Sequence, residues 1–167
     1  MAGGIPTPLV APHGYLNQEV VQCVANAAQY YQVPELLLHA LLQKERGRVG
    51  QAVRDANGSY DLGLAQINTV WSSEFARFGI TPEQIRDDPC TNLYAAGYVL
   101  RLNVNHYGGN DWYRATMAYH VGSSGWRNPT RYRIAYSYAS DVIKRWWVLQ
   151  HRVFGDNPAG SALAHRP

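Results

Sequence analysis

Residues 35–46 read Glu-Leu-Leu-Leu-His-Ala-Leu-Leu-Gln-Lys-Glu-Arg, with Pro34 before them and Gly47 after. Pro34 suits the first turn of a helix, because its fixed φ and missing N–H cost nothing there. Leu36, Leu37, Ala40, Leu41 and Lys44 follow helical spacing, and Leu38, Leu42 and Glu45 form an adjacent stripe. Gly47 is expected to end the helix. A helix this apolar must pack on a core, and it carries a carboxylate in its last turn. Glu45 therefore sits at the rim of that core or partly inside it, unless it is an ordinary solvated helix-end Glu paired with Lys or Arg.

The rest of the chain is punctuated in the same way. Asn17 can cap a first helix to about Tyr31, with Val20, Val21, Val24, Ala27 and Ala28 on one face. Residues 48–68 break the rhythm, and Asp55-Ala56-Asn57-Gly58-Ser59 is turn chemistry that suits a tight turn or short hairpin. Helix resumes near 69–78. Thr81-Pro82-Glu83-Gln84 reads as a capping box. Asp88-Pro89 can cap a helix to about His106, stopped by Gly108-Gly109, and Asp111 one to about Val121. Thr130 opens a last helix to about Val153, with Ile134, Tyr138, Val142, Ile143 and Trp146 apolar at near-helical spacing. The expected fold class is α+β and mainly α, with six or seven helices and a small irregular or β segment near 48–68. Residues 1–14 read as an extended N-terminal arm, 15–154 as one catalytic-sized domain, and 155–167 as a loose C-terminal tail.

Composition removes several function classes. The 167 residues are 46% hydrophobic and 16% charged, enough for a real core. A net charge of +3 without any Lys/Arg run argues against a nucleic-acid partner. No stretch approaches the ~20 apolar residues of a membrane span. The 12 Tyr and 5 Trp suit a sugar-lined groove, although each can equally fill core or surface. Cys23 and Cys90 belong to no CxxC pair and no His/Cys cluster, so no metal is expected. They are either inert core thiols or one disulfide. The start, Met-Ala-Gly-Gly-Ile-Pro, lacks a basic region followed by an apolar run. An exported protein would have lost its signal or carry Met1 in its place. A cytoplasmic origin is the alternative.

Partial burial among apolar groups disfavours an ionised carboxylate and raises its pKa. A glycosidase needs such an acid, still protonated near neutral pH, to protonate a departing sugar oxygen. Three segments then stand in order: Glu45-Arg46-Gly47, Gly63-Leu64-Ala65-Gln66-Ile67-Asn68 and Ala118-Tyr119-His120-Val121-Gly122. Together, over about residues 17–126, the chain resembles the lysozyme superfamily. Within it the likeness is to the small lytic transglycosylases related to soluble lytic transglycosylase. The specialised forms that accompany conjugation, type IV and type III secretion machines and pili are the most similar. The chain departs from that family at Arg46, Ala65 and His120, where the family has Ser, Met and Asn.

The resemblance implies a lysozyme-like fold, a peptidoglycan substrate, a periplasmic or secreted location and no cofactor. It implies Glu45 as catalytic acid, with Gly63, Gln66, Tyr119 and His120 at the substrate. His120 either hydrogen-bonds sugar or is a structural histidine. Cys23 and Cys90 match a pair that is commonly bridged in the secretion-associated members, and such a bridge would contribute ~4 kcal/mol. Asp61, sixteen residues after Glu45, stands where animal lysozymes carry their second carboxylate. It either takes part in catalysis or hydrogen-bonds the amides of its own turn. The implied reaction is cleavage between N-acetylmuramic acid and N-acetylglucosamine with 1,6-anhydro ends, for local wall opening around a secretion, conjugation or pilus apparatus. A hydrolytic muramidase using Glu45 and Asp61, and a non-catalytic wall-binding assembly module, are the alternatives.

Overall fold

The computed structural model describes residues 4–156. Among these residues the chain forms seven α-helices and a three-stranded antiparallel sheet, a mainly α, lysozyme-like arrangement. In chain order these are α1 (Gln18–Tyr31), α2 (Glu35–Glu45), β1 (Ala52–Arg54), β2 (Tyr60–Leu62), β3 (Ile67–Asn68), α3 (Ser72–Ala76), α4 (Pro82–Asp87), α5 (Pro89–His106), α6 (Trp112–Val121) and α7 (Pro129–Phe154).

Most helix starts follow from local polar chemistry. Asn17 accepts from the Val20 N–H, Asp88 from Thr91 and Asp111 from Arg114. Thr81 and Gln84 close a reciprocal capping box. The last helix begins one residue earlier than Thr130. Asn128 is its cap, accepting from the Thr130 and Arg131 amides, and Pro129 occupies the first turn. The expected apolar face of α7 is also corrected. Ile134 is 48% exposed, and the buried face runs through Ala135, Tyr138, Ala139, Val142, Trp146 and Leu149. The small Ala residues let α7 approach its neighbours more closely than Ile134 would.

α2 is the central rod. Every residue from Leu36 to Leu42 is buried, including His39, as expected of a helix surrounded by others. It packs on α1 and α7, α1 packs on α5, and α6 lies between α5 and α7. A Cys23–Cys90 disulfide ties α1 to the start of α5.

The end of α2 is set differently from expectation. Arg46, not Gly47, takes the left-handed conformation (φ 55°), and its N–H bonds the Leu42 carbonyl. Gly47 is needed for a different reason. A side-chain carbon at position 47 would overlap the Gly63 carbonyl oxygen and lie 2.6 Å from that of Leu64. The chain leaving α2 thus presses directly against the 63–66 turn.

The sheet supplies that turn. β1 pairs with β2 (Val53 opposite Asp61) and β2 with β3 (Asp61 opposite Asn68). The β1–β2 turn is closed by Asp55 and Ser59, with the Asn57 side chain accepting from the Ser59 N–H at 2.9 Å. From residue 4 the segment before α1 has no helix, bends at residues 9–10 and turns at 14–15, where His13 pairs with Leu16. It is pinned where Gln22 donates to the Pro6 carbonyl and Leu9 donates to Glu35. Residues 1–3 of the expected arm and 157–167 of the expected tail lie outside the described residues.

Candidate active site

Glu45 is the last residue of α2, so the left-handed turn at Arg46 leaves its carboxyl at the helix end rather than along the core. It opens into a cleft of ≈ 430 Å³ between the sheet segment and the α6 end. Asp61, Gln66 and Asn68 line one wall, and Tyr119 and His120 the other. The sequence segments carrying Glu45, Asp61, Gln66, Tyr119 and His120 are therefore brought to one cavity. Gly63 is not among its lining residues and lies behind the wall.

Burial pushes the Glu45 carboxyl up to about 7, and the negative charge of Asp61 adds to the rise. The Tyr138 hydroxyl, which donates to Glu45 Oε1, and the nearby Lys44 ammonium pull the other way without cancelling it. The carbonyl end of the α2 dipole also disfavours a carboxylate at this position. Glu45 is thus an acid that holds its proton near neutrality. The Tyr138 phenol is itself raised well above its usual value by burial and by Glu45, so it remains a donor.

Tyr138 and His120 lie face to face, with ring centroids 4.2 Å apart and planes within 5°. One edge of His120 stays accessible, while burial of the stacked face and the Lys44 charge lower its pKa. The ring is therefore neutral at pH 7. Lys44 sits 5.7 Å from the Tyr138 ring centre and pairs with Asp141 at 2.8 Å.

The opposite wall is held by amides. Asn68 Nδ2 donates to Asp61 Oδ1 at 2.8 Å and to Asp55 Oδ2 at 2.7 Å, a consequence of the Asp61–Asn68 register. Asp61 bonds a side chain, not the amides of its own turn. Burial and Asp55 raise its pKa, against the Asn68 hydrogen bond. Gly63 adopts φ 68° beside Asn92, where a Cβ would strike the Asn92 amide. Asn92 is 1% exposed and makes three bonds: Oδ1 accepts from Ala65 N–H (2.8 Å), and Nδ2 donates to the Leu62 (2.8 Å) and Ile85 (2.9 Å) carbonyls. Gln66, at φ 51°, donates to the Gly63 carbonyl at 2.7 Å, which leaves its Oε1 as an acceptor at the cleft. The Tyr119 hydroxyl donates to the Ala65 carbonyl at 2.8 Å, so α6 clamps the same turn.

Residues 22–141 match the family described as the transglycosylase SLT domain. The chain belongs to this family. It is a peptidoglycan lytic transglycosylase. The X polypeptide of Escherichia coli (strain K12) is 33% identical over 133 residues, 78% of this chain and 76% of that protein. Protein IpgF of Shigella flexneri is 32% identical over 125 residues, 74% and 78% respectively. Invasion protein IagB of Salmonella typhimurium (strain SL1344) is 30% identical over 121 residues, 72% and 74%.

In this transglycosylase three residues shape the site in ways that are not legible in the sequence. Tyr138 reads as one more apolar position of α7, because its partner lies 93 residues away. Asn92 reads as part of the helix cap after Asp88, although its amide fixes the cleft wall. Asn68 is visible only as the residue that ends the Gln66-Ile67-Asn68 segment. Its role needs the strand register. Among the described residues no group of three His, Cys, Asp or Glu could hold a metal ion, and no helix is long and apolar enough to cross a membrane.

Proposed function

We propose that this transglycosylase cleaves the β-1,4 bond between N-acetylmuramic acid and N-acetylglucosamine, with Glu45 as acid and then base. The observation that carries the reading is a carboxyl raised to about 7 in a sugar-sized cleft. Glu45 gives its proton to the bridging oxygen as the C1–O bond breaks. The oxygen of the substrate's own N-acetyl group closes on C1. The Glu45 carboxylate then takes the proton of the muramic 6-hydroxyl, whose oxygen displaces the acetamido oxygen. A 1,6-anhydro ring forms, Glu45 is protonated again, and no water is consumed. Tyr138 aims the carboxyl, Gln66 Oε1 and the accessible edge of His120 meet the sugar, and Gly63 with Tyr119 hold the wall in place.

Glu45→Gln should abolish clearing of purified peptidoglycan suspensions while the far-ultraviolet circular dichroism is unchanged. Retained clearing would remove Glu45 from the mechanism. Loss of clearing also separates this reading from a purely wall-binding module.

A second reading is supported by Asp61, which lines the same cleft and acts on the Glu45 charge. As an ionised second carboxylate it would stabilise an oxocarbenium ion or act as a nucleophile, and water would be the acceptor. Mass spectrometry of the released muropeptides decides, because anhydro products are one water lighter.

The cellular role we propose is local wall opening in the periplasm during assembly of a secretion, conjugation or pilus apparatus. The support is the likeness to a relative named an invasion protein. Deletion of the gene should then impair assembly of such an apparatus, and the Glu45→Gln form should not restore it.

A further inference from the structure

We propose that the groove on the α7 side of Glu45 binds the carboxylate-bearing peptide attached to the muramic sugar, with Arg133 recognising its charge. This rests on the cleavage reaction proposed above, because it assigns the ground next to the scissile bond.

Two cavities meet at Glu45 and His120. The second, of ≈ 640 Å³, is lined by Lys44, Thr130, Arg133, Ile134 and Ser137, with Tyr138 beneath. A substrate seated against Glu45 can therefore send a branch into it. With the sugar chain assigned to the first cleft, where Asp61, Gln66, Asn68 and Tyr119 supply its polar walls, the second is left for a substituent.

Charge identifies the kind of substituent. Lys44 and Arg133 are the cations of the groove, and Glu45 is the only carboxyl among its lining residues. Lys44 is partly committed, since it pairs with Asp141, which also accepts from Arg145 at 3.1 Å. Arg133 is exposed and makes no hydrogen bond or ion pair among the described residues. Its planar guanidinium is suited to bidentate capture of a carboxylate. The Thr130 and Ser137 hydroxyls can pair with amide groups, and Ile134 offers apolar contact. Such a mixed lining fits a short acidic peptide.

Reach agrees as well. Arg133 precedes Tyr138 by five residues on one continuous helix, or ~7.5 Å along the axis. Tyr138 touches Glu45, and Arg133 and Glu45 line the same cavity, so about that length of helix separates the Arg133 backbone from the residue that holds the proton donor. The muramic unit carries its peptide through a lactyl ether on C3, close to the reacting C1. An extended residue spans ~3.3–3.6 Å, so a free carboxylate one or two residues out arrives at that distance.

The test is the ratio of kcat/KM on stem-bearing strands to that on strands stripped of peptide by an amidase. The amidase hydrolyses the lactyl amide, so the stripped strands carry a new lactyl carboxylate on the sugar but none of the stem's own carboxylates. For the unaltered enzyme the ratio should exceed one and fall as salt rises. Arg133→Gln should lower the ratio about fivefold, in line with an exposed charge pair, and Arg133→Lys, which keeps the charge but loses the bidentate fork, should fall between that variant and the unaltered enzyme. Arg152→Gln, at the far end of α7, controls for general electrostatics. An unchanged ratio in Arg133→Gln, or an equal fall in Arg152→Gln, overturns the proposal. Failure of the underlying reaction would look different: the unaltered enzyme would release no anhydro product from either substrate.

Discussion

The Glu45 carboxyl is a residue whose usefulness opposes stability. Its folded value of about 7 lies above the 4.5 of a free Glu. Below pH 4.5 both folded and unfolded chains hold the proton, and burial has no ionic penalty. Between 4.5 and 7 the unfolded chain releases the proton first, so stability falls as pH rises, and the loss is complete above about 7. The whole difference is worth roughly 3 kcal/mol. Glu45→Gln keeps the shape and an acceptor for Tyr138 but cannot ionise. It should therefore be more stable than the parent at pH 8 and nearly equal to it at pH 4, as read by urea denaturation at the two values. Equal differences at both would mean that the carboxyl is not held protonated. Tyr138 acts in the opposite sense, because its hydrogen bond favours the carboxylate. Tyr138→Phe should raise the Glu45 pKa further and move the alkaline limb of the pH–rate profile upward, while lowering the maximum rate. An unshifted limb would separate that limb from Glu45.

At the level of elements, the site is a junction between the end of α2 and the 63–66 turn. Gly47 is where they touch, against the backbone carbonyls of Gly63 and Leu64 and the side-chain amide of Gln66. Gly47→Ala must displace one segment from the other. A shift of ~1 Å near reacting groups costs about a hundredfold in rate, and kcat should fall by that order while most helical signal survives. Wild-type rates with alanine at 47 would show that the turn does not set the geometry. This junction also marks how far the sequence could be read. The caps at Asn17, Thr81, Asp88 and Asp111 were legible because each bonds within three residues of itself. Glu45 was legible because an apolar helix ending in a carboxylate is locally odd. The reason for Gly47 was not, since it depends on a carbonyl sixteen residues away. The Asn92 amide reaches back 27 residues to Ala65, and one sequence carries no mark of that pairing. Trp146 and Trp147 are neighbours of the same residue type, yet Trp147 is 59% exposed while Trp146 is buried. Adjacent residues on a helix differ by a 100° turn, so only one of them can face α2.

For the whole molecule, the question is what holds the two flanks of the cleft to each other. One flank is α2 with α6 and α7, joined through a continuous buried core. The other is the sheet wall, and Asn92 at the start of α5 hangs that wall in place. Two residues earlier on α5, Cys90 is bridged to Cys23 of α1. The bridge closes 67 residues of chain, a span that includes α2, the whole sheet and α4. The α2 end and the whole sheet wall of the cleft therefore lie inside one covalent loop, while α5 beyond Cys90, α6 and α7 lie outside it. Closing a loop of that length restricts the unfolded chain by an amount worth about 4 kcal/mol. For a chain of this size that corresponds to a fall in Tm of roughly 10 °C when it is lost. Replacing both cysteines by alanine should give that fall, measured by calorimetry at pH 6. The cleft itself is shaped by hydrogen bonds rather than by the sulfur bridge. At 20 °C the cysteine-free protein should therefore release the same muropeptides, with kcat within about threefold of the parent. A Tm unchanged by the double substitution would mean that the unfolded chain is not restrained by the loop. A cold protein that is folded but inactive would mean that the bridge, and not Asn92, positions the wall.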